Sequence, residues 1–152
     1  MHYIEKAKKY LKQFFLIDDT PHKVAAGFAL GVFWGIMPGE GVGTTLITAT
    51  LLRFNRLSAT AGILASNMWT TFAILPLAAL VGGYIFGVSP SFLIDSFSKT
   101  YTLGLKYFFT ETIVLQILTP FFVGFFIVSV SISLVFYFSI YFILKYHKLK
   151  FR

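Results

Sequence analysis

PHKVAAGFALGVFWGIMPGEGVGTTLITATLLRFNR, residues 21–56, decides the fold. It is apolar on both sides of a central break, Pro38-Gly39-Glu40-Gly41, and so reads as helix, turn, helix. Neither arm is long enough to cross a hydrocarbon core of about 30 Å, which takes about 20 helical residues. Val24 to Met37 rises ~21 Å and Val42 to Leu52 ~16 Å. Both arms therefore dip into a bilayer and come back out. Irregular backbone at that depth survives only where protein or a water-filled cavity covers it. A turn carrying a carboxylate thus requires a surrounding structure built to hold it.

Composition agrees with a membrane setting. Of 152 residues, 57% are apolar, 19% aromatic and only 12% charged, and mean hydropathy is +0.77; soluble chains carry about 25% charged residues. The expectation is a single all-α integral membrane domain, multi-pass, with both termini cytoplasmic. The net charge of +7 sits at the edges of apolar segments and not in a stripe among exposed aromatics. It suits anionic lipid headgroups and excludes nucleic acid. Cysteine is absent and the histidines at 2, 22 and 147 are scattered, so no metal site and no cofactor is predicted. The apolar run Phe14-Phe15-Leu16-Ile17 is too short for a signal peptide, and no removed leader is expected.

Outward from the hairpin, residues 1–19 place Ile4, Ala7, Leu11, Phe14 and Phe15 at helical spacing against a lysine-rich face, which predicts an interfacial amphipathic helix. Thr20 and Pro21 start the re-entrant hairpin of residues 20–56. From Ser58, the expected N-cap, residues 58–87 form a full transmembrane helix, with a kink at Pro76 if any. Residues 88–112 form an outer loop and interfacial segment, residues 113–146 a second transmembrane helix, and residues 147–152 a basic tail. Charge supports re-entry. If the hairpin returns to its side of origin, Lys6, Lys8, Lys9, Lys12, Lys23, Arg53, Arg56, Lys145, Lys148, Lys150 and Arg152 are cytoplasmic, leaving Lys99 and Lys106 outside. If the hairpin crosses instead, the asymmetry vanishes.

The run from Thr20 to Thr71 resembles a bacterial membrane family catalogued as a domain of unknown function, number 2062. The resemblance rests on Pro21, Gly27 and Gly31, Pro38 in the break, Gly41 and Thr44 after it, the closure Arg53, Asn55, Arg56, and the later Gly62 and Asn67. This chain has Met68 where the family usually has proline, Gly43 where it often has glutamine, and an acid at Glu40 that the family more often lacks. The resemblance implies a bacterial inner-membrane protein, with relatives sometimes fused to glycosyltransferase-like domains, and assigns no activity. The break is also similar in style to the re-entrant hairpins of the DedA lipid-handling transporters.

Three groups of residues are candidates for function. Glu40, with Thr44, Thr48, Asn67 and Thr70, would form a coupling or substrate-binding set, because an intramembrane acid is a functional candidate by default. A structural role for Glu40 in capping nearby amides is equally open, and the threonines can bond back to their own helix. His22, Lys23, Arg53 and Arg56 converge at the hairpin mouth and would grip an anionic headgroup or phosphate, or simply anchor the chain. Gly27, Gly31 and Gly35 form a stripe for helix packing. No catalytic triad, carboxylate pair or dinucleotide loop is present, so an enzyme is poorly supported. The leading expectation is a small transporter or lipid/anion translocase whose hairpin lines a polar cavity, working as a homo-oligomer packed on the glycine faces. The alternative is a scaffold or accessory subunit for an envelope polysaccharide or lipid-glycosylation enzyme.

Overall fold

The computed structural model describes residues 19–38, 41–66, 68–103 and 114–150, and among these the chain is all-helical. The expected amphipathic helix at the N-terminus lies outside the described residues, as do Glu40 and Asn67.

Helix α1, Pro21–Ile36, starts at Thr20, an extended N-cap whose Oγ1 accepts from the Lys23 N–H (3.4 Å), with Pro21 in the first turn. It stops at Met37, immediately before Pro38, since the residue ahead of a proline is pushed out of helical geometry. Helix α2, Val42–Leu51, runs back. Its end is a Schellman turn: Phe54 N–H bonds to Ala49 O (2.8 Å) and Arg53 N–H to Thr50 O (3.2 Å), with Arg53 left-handed at φ 57°. The chain returns to its starting level, because Asn55 N–H donates to Lys23 O (3.1 Å).

Helix α3, Arg56–Ala65, then retraces α1 in the same direction. The partners advance together. Ser58 Oγ donates to Val24 O (2.6 Å) and Ser66 Oγ reaches Val32 O (3.5 Å). Gly27 lies against the Asn55 carbonyl, Gly31 against that of Ala59 and Gly35 against that of Ser66, while Gly62 of α3 lies against the Phe28 carbonyl. A Cβ at any of these positions would strike backbone. The glycine stripe is thus filled from within the chain, which corrects the expectation that a second copy packs on it. A further correction concerns the cap. Asn55, not Ser58, is the N-cap of α3, with Oδ1 accepting from Ser58 N–H (2.8 Å).

The single helix expected over 58–87 is broken. Arg56–Ala65 and Thr70–Phe86 meet at 78°. The break falls at Ser66 (φ −112°, ψ 81°) and not at Pro76, which α4, Met68–Phe86, carries inside it. The sequence offers no proline at 66. The turn is set by the packing of Ser66 against Gly35 and by Ser66 Oγ bonding to Gly62 O (2.7 Å). After Gly87, which takes φ 66°, helix α5, Pro90–Leu103, turns back and buries Leu93. A π turn at Val114–Leu118 leads into α6, Thr119–Lys150, the longest helix.

Helix α6 is the spine. It runs antiparallel to α4, with Gly124 on Ala78 and Gly82 on Pro120, and antiparallel to α1, where Phe33 meets Phe126 and Phe28 meets Phe136. The core joins Val32, Ile36 and Met37 to Ala78, Ala79 and Leu93 and to Ile117, Phe121 and Phe125. Leu115–Tyr146 is long and apolar enough to cross a membrane, and Arg56–Ala65 with Thr70–Phe86 passes the same test if taken as one broken span.

Candidate functional site

Because α1 and α3 are parallel, their ends gather in like pairs. The start of α3 is seated on α1, with Asn55 N–H on the Lys23 carbonyl and the Asn55 carbonyl against Gly27, so it lies one to two turns along from the start of α1; each start carries roughly half a positive charge. Around them stand His22, Lys23, Arg53 and Arg56, the four residues proposed from sequence for an anion. His22 is fixed in place: its Nδ1 lies 2.8 Å from the Tyr137 hydroxyl of α6, and its ring meets Tyr137 and Phe54 edge to face at 5.8 and 6.0 Å. Lys23 Nζ is 3.4 Å from Asp19 Oδ1, the acceptor that also takes the Thr20 N–H (2.9 Å). Asn55, at 3% exposure, is the buried joint between the two helix starts.

Arg53 occupies the C′ position, where glycine is usual because a Cβ resists the left-handed conformation by about 1 to 2 kcal/mol. An exposed arginine held there points to a use for its side chain. Arg53→Gly is expected to raise stability by about 1 kcal/mol, or roughly 3 °C in thermal midpoint. Arg53→Ala, which keeps a Cβ in the left-handed conformation, should show no gain. Circular dichroism melts of the three proteins decide it, and a glycine variant that melts no higher than the alanine one refutes the strain argument.

The opposite ends are the C-termini of α1 and α3, where the two helix breaks meet. Gly35 abuts the Ser66 carbonyl, and Thr71 of α4 donates through Oγ1 toward Gly35 O (3.3 Å) and Ile36 O (3.2 Å), covering carbonyls that α1 itself cannot pair. Of the described candidates, Thr48 donates to Thr44 O (2.8 Å) and accepts from the Trp34 indole N–H (3.0 Å), clasping α2 to α1. Thr45 and Thr50 likewise bond back to Gly41 O and Leu46 O. Thr70 is half-buried beside Thr71, which makes the link between helices.

Sequence reading gave no signal that Tyr137 meets His22, 115 residues away, because only folding brings them together. Asp19 had a local signal, its i,i+4 spacing to Lys23. Among the described residues no group of three or more histidine, aspartate or glutamate side chains comes together to hold a metal.

A family model described as "Uncharacterized protein conserved in bacteria (DUF2062)" matches residues 5–152. Comparison with curated proteins and with solved structures gives no match.

Proposed function

We propose that this chain, which belongs to that uncharacterised bacterial family, is a small inner-membrane translocase for a lipid or anionic solute, with α1 and α2 as a re-entrant hairpin. The observation that carries the reading is the meeting of the two helix breaks at the ends of α1 and α3, bridged by Thr71. Interrupted helices whose ends converge at membrane depth are how secondary transporters build substrate and ion sites. The cationic end would gather the headgroup, and Glu40, the acid of the Pro38-Gly39-Glu40-Gly41 sequence, would couple movement to a proton or cation.

The test is flux in vesicles. Purified protein in liposomes carrying a fluorescent phosphatidylglycerol or phosphatidylethanolamine should speed the exposure of inner-leaflet label to an impermeant quencher, and Glu40→Gln should return the rate to that of empty vesicles while its helical melt is unchanged. Equal flux through wild type and Glu40→Gln removes the coupling role. No flux from a well-folded wild type removes translocation. A second reading, a scaffold for an envelope enzyme, is favoured by the exposed apolar row of Val42, Ile47 and Leu51 on α2 beside Leu57 and Leu64 on α3, and it gains in that case.

A further inference from the structure

The cationic end contains one group that an anion site has no use for. Asp19 lies at the start of α1, its side chain only 7% exposed. Oδ1 is engaged by Thr20 N–H and Lys23 Nζ, but Oδ2 is buried with no donor among the described residues. A buried carboxylate oxygen left unpaired is costly, and a carboxylate one turn from a phosphate site repels what the site attracts. Both features make sense for a ligand that carries the two charges together.

We propose that this end recognises an ammonium-bearing phosphodiester, the phosphoethanolamine headgroup of a phospholipid. The phosphate lies against the start of α1 with Arg53, and the ammonium completes Asp19 Oδ2. Lys23, 42% exposed and 3.4 Å from Oδ1, is the group that moves to admit it. The proposal rests on the headgroup-gathering part of the reading above. It adds that the choice among headgroups is made by Asp19, and that it favours a zwitterion over a purely anionic lipid.

Binding, and not flux, tests it. The full chain in detergent is titrated with dihexanoyl phosphatidylethanolamine, dihexanoyl phosphatidylglycerol or inorganic phosphate while its thermal midpoint is followed. Wild type should respond to the ethanolamine lipid at about tenfold lower concentration than to the glycerol lipid, the scale of one charge-assisted contact. Asp19→Asn keeps the acceptor for Thr20 N–H and should erase that ratio by weakening ethanolamine binding alone. Lys23→Met, which removes the competing ammonium, should widen it, and it serves as the test if Asp19→Asn does not fold. A ratio unchanged in both variants, a preference for the glycerol lipid, or equal protection by inorganic phosphate overturns the proposal. Vesicle flux that persists after any of these results leaves translocation standing, and a preference that holds without flux does the reverse.

Discussion

Gly31→Leu is expected to yield no stably folded protein, whereas Gly43→Ala should melt at or slightly above wild type. The contrast follows from what each position faces. At Gly31 even a Cβ would collide with the Ala59 carbonyl oxygen and approach Ile63 N to 2.7 Å. Those atoms are backbone, so α3 as a whole would have to withdraw, and Gly27, Gly35 and Gly62 would lose their contacts with it. Overpacking commonly costs about 1 to 3 kcal/mol where side chains can adjust, and a rigid carbonyl leaves less room for adjustment. Total stabilities of only about 5 to 15 kcal/mol do not absorb a loss of this kind at a central interface. Gly43, by contrast, has no atom within 4 Å of a built Cβ, so alanine gains helix propensity of about 0.5 to 1 kcal/mol. Size-exclusion profiles and helical melts of both variants give the answer, and a monodisperse Gly31→Leu melting within a few degrees of wild type would mean that α1 and α3 are not packed on backbone.

Asn55→Ala should destabilise by about 2 kcal/mol, from loss of an N-cap with its surroundings buried. Its Oδ1 holds the Ser58 amide, and its backbone N–H and carbonyl are committed to Lys23 and to the surface of Gly27. Asn55→Asp preserves the acceptor at the positive start of α3 and should recover much of the loss. Chemical denaturation in mixed micelles separates the two variants. If aspartate is as damaging as alanine, the cap is not what the residue contributes.

Local chemistry was legible in the sequence and long-range direction was not. Thr20-Pro21 and Met37-Pro38 bound α1 by rules that act within one turn, and Arg53, Asn55 and Arg56 do close the hairpin beside Lys23. The start of α3 was placed late because Arg56 is not apolar, so the hydrophobic pattern begins only after the true cap. Pro76 drew attention as the natural kink, yet the bend falls at Ser66, where the cause is Gly35 on another helix. The glycine stripe announced a close neighbour without naming it, because a smooth face is the same whether the partner is another copy or a helix 28 residues on, as from Gly31 to Ala59. For the candidate site, the four cationic residues could be grouped by topology. The seating of the α3 start on α1, and the clasp of His22 by Tyr137, depend on α3 running parallel to α1 and on α6 returning past α1.

That parallel pairing also sets an order of assembly. Two neighbouring antiparallel helices can close on each other as soon as the second is made, but α1 has no cover for its stripe until the chain has been synthesised through Ser66, with all of α2 intervening. Its other flank, and the matching flank of α4, wait for α6, the last helix. The nascent chain therefore carries the smooth face of α1 open until Ser66 is made and the flanks of α1 and α4 open until α6 follows, so that losing the stretch of α6 from Pro120 to Tyr137 would leave both α1 and α4 without the element that joins them.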